Sequence, residues 1–146
     1  MSDLVIEALE DQLGCYQRLA KLAELQHVHV QHDQTEQLMT VLACRQGVLD
    51  DIARLERVVA PAKRDWSNYA MGIAGDLRTR AESLLSQTRT LLEQITLADQ
   101  LDALVLQQRK LSVGKQINQA SSAKQVNRAY ATSAYGARPA RMDLSR

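Results

Sequence analysis

Apolar residues recur every three and four positions from the start of the chain. Val5/Ile6, Leu9, Leu13, Tyr16, Leu19/Ala20, Leu22/Ala23 and Val30 paint one face and predict a first helix over residues 3–32. Gly14 falls inside it and costs roughly 1 kcal/mol relative to Ala, too little to break so regular a pattern. Asp33-Gln-Thr-Glu36 then has the form of a capping box, with an acidic cap and a Glu three residues on. It either restarts a second helix or forms a polar turn in one continuous rod. Leu38, Val41/Leu42, Val48/Leu49, Ile52, Leu55 and Val59 follow at near-heptad spacing, and Pro61 is the expected stop.

After the short linker 60–65, Asp65 or Ser67 is placed to cap a third helix. Its stripe comprises Trp66, Tyr69, Ile73, Leu77, Ala81, Leu84, Thr88, Leu91, Ile95, Ala98, Leu101 and Val105, and it persists to about Val113. The expected fold is therefore all-α: an elongated antiparallel three-helix bundle or hairpin with a long C-terminal helix and a weakly structured tail. At 1.5 Å per residue the first two helices span roughly 40 to 45 Å and the third roughly 70 Å. The far end of the third, with Leu104, Val105, Leu106, Leu111, Val113 and Ile117, then overhangs a simple hairpin. That overhang is a docking surface for a partner helix, unless the first two helices are staggered or the chain forms a homodimer there.

Composition sharpens this picture. With no Phe, one Trp and four Tyr in 146 residues, the core must be aliphatic. The net charge of +1 conceals an asymmetry: residues 115–146 hold six Lys/Arg against one Asp, so this segment is +5 and the first 114 residues are −4. The expected division is a helical body over 1–114 and a basic, flexible binding tail over 115–146. The basic residues are too dispersed for more than weak, salt-sensitive attraction to nucleic acid. The tail lacks the apolar face and lipidation signal of a membrane binder, and no apolar run is long enough to span a bilayer. Neither nucleic acid nor membrane insertion is expected. The N-terminus does not read as a signal peptide, and Cys15 and Cys44, far apart, read as helix-face residues in a reducing compartment, so the expected location is cytoplasmic.

Candidate chemistry is sparse. Glu24 and His27, and His32 and Glu36, have ligand-competent helical spacing. All three histidines lie within six residues, however, which rules out a second Glu-x-x-His on another helix; a solvated helix end is the expected role. Asp50-Asp51 and Asp99 with Asp102 read as exposed solubility residues. There is no glycine-rich phosphate loop and no nucleophile elbow, so no catalytic, metal or cofactor site is expected and the chain reads as a binding protein, not an enzyme.

The order of parts resembles the flagellar type III export chaperones of the FlgN-like family. The resemblance is carried by Leu9-x-x-x-Leu13-x-x-Tyr16-x-x-Leu19-x-x-Leu22-Ala23, by the segment 38–57 with its central Arg45-Gln46, and by Leu91-Leu92-Glu93-Gln94-Ile95. It continues through 104–110, Asn127-Arg-Ala-Tyr130 and Arg141-Met-Asp143. It implies a small, cytoplasmic, all-helical chaperone that uses no nucleotide, binds C-terminal helices of hook–filament junction proteins, and delivers them to the export-gate membrane protein. The family ties its C-terminal region to substrate binding and a tyrosine near the C-terminus to the cytoplasmic domain of the gate protein. Tyr130 and Tyr135 are both candidates, with Tyr130 preferred because Ile117, Ala120, Ala123, Val126, Tyr130 and Ala134 offer a loose helical stripe. The full set of expected partner-binding residues is Leu104, Val105, Leu111, Val113, Ile117, Val126, Tyr130 and Tyr135.

Overall fold

The computed structural model describes residues 3–134, which form four helices and no strand. These are α1 (Leu4–Gln31), α2 (Thr35–Arg64), α3 (Trp66–Met71) and α4 (Gly75–Ala134). The chain divides into two units, residues 1–105 and 106–146.

In the first unit, cross-helix side-chain bonds fix the directions. Gln12 Nε2 donates to the Ile52 carbonyl at 3.4 Å and to Glu56 at 2.9 Å, while Gln26 accepts from Arg45, so α1 and α2 are antiparallel. Arg80 reaches Glu10 and Asp102 reaches Gln26, so α1 and this part of α4 run parallel. Ile6, Leu9, Leu13, Val59, Ala81 and Leu84 make one core cluster. Cys15, Leu19, Ala23, Val48, Ile52 and Ile95 make the next along the bundle. Each set follows the three-and-four spacing of its own helix, which is why aliphatic residues suffice without a single Phe.

The helix ends correct several expectations. Asp3 caps α1, accepting from the Val5 and Ile6 amides at 2.8 and 3.2 Å. Asp33 does not cap α2. It ends α1 in the left-handed region, φ 54°, where the Gln34 amide donates to the His29 carbonyl and the Asp33 amide to that of Val30. That pair of bonds is a Schellman closure, and it takes up carbonyls that the helix end leaves bare. Gln34 is the N-cap of α2 and makes no side-chain capping bond.

Pro61 does not stop α2, which continues to Arg64. The missing amide falls one turn from the end, and Val59 and Ala62, both buried, hold the last turn against the core. The single third helix expected from residue 65 is two. α3 closes at Gly72, whose amide donates to Asn68 and Tyr69 carbonyls, and α4 starts at Gly75. Trp66 of α3, Ile73 of the link between the two and Leu77 of α4 all still pack on the core. α4 itself runs on through Gly114, so the compositional change there is not a helix end.

Candidate functional site

Three helices of the first unit converge on Asp102. This carboxylate is 1% exposed and lies seven residues after Ile95, in phase with the apolar stripe of α4. The helical period therefore carries it into the interior, where an ionised group must find partners. His27 Nδ1 lies 2.7 Å from Oδ1, and Gln26 Nε2 donates to Oδ2 at 3.2 Å. An ionised carboxylate only accepts, so the imidazole carries its proton on Nδ1. The Gln26 carbonyl accepts from Arg45 at 2.5 Å, and Arg45 grips Asp99 through two bonds of 2.7 Å. One amide thus links a buried carboxylate on α4 to a guanidinium on α2. The hydrogen bonding of Arg45 to Asp99 raises the Arg45 pKa, outweighing the opposing effect of burial, with the charges of Asp99 and Asp102 adding Coulombic support.

This assembly overturns two expectations. Asp99 and Asp102 are not a pair of exposed solubility residues, and His27 is not simply part of a solvated helix end. The available signal is phase: in the stripe Ala81, Leu84, Ile95, the next inward position is an aspartate. The other two histidines serve the end of α1, His29 against the Gln34 side chain at 2.7 Å and His32 against the Val28 carbonyl at 2.8 Å. Among the described residues no group of three or more His, Cys, Asp or Glu side chains is arranged to hold a metal ion.

A second arrangement suits binding rather than chemistry. Ala20, Ala23 and Val28 on α1 face Ile95, Ala98 and Leu101 on α4 across a groove of about 460 Å³. The alanines keep the two helices from filling the space between them. Leu97, Leu101 and Leu104, at spacings of four and three, share one side of α4 and are 60, 51 and 57% exposed. Leu104 lies in the first unit beside these apolar neighbours, and Val105 is half-buried.

In the second unit, Leu106, Leu111, Val113, Ile117 and Val126 are all exposed on α4. They do not make one stripe. Val113 and Ile117, four apart, share a face, whereas Ile117 and Val126, nine apart, are half a turn out of phase. Leu111 and Val126 belong to the side opposite Val113, so the loose stripe from Ile117 through Val126 to Tyr130 is not a straight helical face. Tyr130 falls within α4, and Tyr135 lies outside the described residues.

Among the described residues no helix is long and apolar enough to cross a membrane. Comparison with protein-family models, with curated proteins and with solved structures returned no match for this chain.

Proposed function

We propose that this chain is a cytoplasmic flagellar export chaperone that covers helical segments of hook–filament junction proteins and hands them to the export gate, without catalysis and without a cofactor. The observation that carries the reading is the exposure of Leu106, Leu111, Val113, Ile117 and Val126 on a helix that has no acidic residue from 103 to its end at Ala134. Scattered exposed leucines are ordinary, but five large aliphatics within 21 residues of one helix give it two apolar sides, Leu106, Val113 and Ile117 on one and Leu111 and Val126 on the other, each of which a partner helix can cover. The exposed Leu97, Leu101 and Leu104 add an apolar surface of the same kind in the first unit. The all-helical fold agrees with what the resemblance to FlgN-like chaperones implies.

The test uses the full chain and the hook–filament junction proteins of the same genome, titrated calorimetrically. The wild-type chain is expected to bind them, and Leu111→Asp with Ile117→Asp to weaken binding at least about tenfold at unchanged helicity. Tyr130→Ala is expected to lose the gate protein's cytoplasmic domain while keeping the client. Failure of the wild-type chain to bind any junction protein, or a tight concentration-independent dimer in light scattering, overturns the reading in favour of a homodimeric coiled-coil protein.

A further inference from the structure

A different cleft, of about 640 Å³, opens where the end of α2 and α3 meet the first part of α4. Tyr16, Trp66, Leu85 and Leu92 give it apolar walls, and Lys63 and Arg89 stand on it with their charges. Tyr16 and Trp66 are half-buried, and Leu92 is 45% exposed. We propose that this cleft binds an acidic amphipathic helix of a partner protein, seating large apolar side chains against Trp66 and Tyr16 and a carboxylate at Arg89.

The charges choose the partner. Arg89 is exposed and forms no ion pair among the described residues, whereas Lys63 is held at 3.1 Å by Glu56. An exposed guanidinium beside an apolar wall suits a carboxylate, which it binds through two parallel bonds. Glu82 also lines the cleft, two turns before Arg89 and so roughly 10 Å along α4. Arg89 therefore places an unpaired positive charge toward Leu92 and Glu82 a negative one two turns away, while Lys63 is already paired with Glu56. A complementary helix carries its carboxylates on one end of its apolar face and a basic residue about two turns away.

The walls choose the conformation. They are helices, whose backbone groups are already bonded within themselves, and they offer no strand edge. An extended peptide laid here would lose water from its amides and carbonyls with nothing to replace it. A helix brings its own backbone bonds and needs only side-chain packing. From Glu82 to Leu92 is ten residues, about 15 Å, so the cleft matches about three turns of helix.

The cleft uses none of the α4 residues on which the chaperone reading rests, and its test is independent of that reading. Trp66 is the only tryptophan, so its emission reports occupancy directly. The probes are two capped alanine-based helical peptides of about 16 residues, identical in their leucine face and differing only in flanking glutamates or lysines. Titrated into the full chain, the glutamate peptide should shift Trp66 emission saturably and bind at least about tenfold tighter than the lysine peptide at low salt. Arg89→Glu should reverse that preference, and Leu92→Lys should weaken the glutamate peptide about tenfold or more; both positions are exposed, so helicity should not change. Leu111→Ser with Ile117→Ser should leave its affinity unaltered. The proposal is overturned by the absence of a saturable shift, by equal affinity for the two peptides, by Arg89→Glu without effect, or by loss of binding in the Leu111/Ile117 variant.

Discussion

His27 Nδ1 donates to Asp102 Oδ1 at 2.7 Å, joining α1 to α4 where Asp102 is buried and His27 is partly open to solvent. The contact does more than pair two residues, because Gln26 beside it passes the connection to Arg45 and so to α2. Asp102→Ala leaves the buried Gln26 amide without its acceptor and is expected to destabilise the fold by about 1–3 kcal/mol in chemical denaturation. Asp102→Leu is expected to cost less than Asp102→Ala, since leucine restores the apolar stripe on which this position lies. Equal losses in the two variants would show that the hydrogen bonds, rather than the filled space, dominate.

Asp33 pays for its place at the end of α1 with a left-handed backbone. Glycine adopts that conformation without the clash of a Cβ, and Asp33→Gly is expected to stabilise the chain by about 0.5–1 kcal/mol. A lowered midpoint in urea would show that the Asp33 side chain contributes more than its backbone costs.

Tyr69 donates to Asp3 Oδ1 at 2.9 Å, fastening α3 to the N-cap of α1. Burial first, and then the bond to Asp3 and its charge, push the phenol up to about 12 from an ordinary 10. A pKa raised in the folded state gives stability that is fully present below pH 10 and is lost as pH rises toward 12. Melting temperature followed through that window should fall, and the Tyr69→Phe variant should show a shallower fall. An identical pH profile for both proteins would remove Tyr69 from the account.

The two units of the chain should respond differently to the same truncation. Leu84 is completely buried, and Leu84→Ala is expected to cost about 2–5 kcal/mol through lost burial and the cavity left behind. Leu111 is 62% exposed, and Leu111→Ala should stay within about 0.5 kcal/mol of the parent. A large loss at Leu111 would mean that the free chain already covers it, for instance in a self-associated form detectable by its concentration dependence.

Helix order and inward faces are legible in the sequence because period is a local property: Leu9, Val59 and Leu84 lie on the stripes that the spacing marks and are among the most buried residues. The break between α3 and α4 is less legible, since Trp66, Ile73 and Leu77 keep helical phase across Gly72 and Gly75. Pro61 misleads for a related reason, because burial of its neighbours outweighs one absent hydrogen bond near a helix end. The arrangement around Asp102 depends on three distant segments meeting, and residue type alone favours the surface for every polar member. Its phase was the one available clue. On α4, counting hydrophobic residues locates Leu111, Val113, Ile117 and Val126, but only the angular arithmetic separates them into two sides.

The parallel course of α1 and α4 makes the two ends of the bundle chemically unlike. Near Leu9, Val59 and Leu84 the interior where the helices meet is aliphatic, with hydrogen bonds at its margins, whereas near Asp102 the interior itself holds hydrogen-bonded polar groups. Water entering by local opening can replace the second kind of contact but not the first. Amide protons should therefore exchange with deuterium in a gradient, slowest in the helical turns around Leu9 and Leu84 and faster toward Gln26 and Asp102. The bundle would open like a hinged clasp from its polar end, before the aliphatic end lets go.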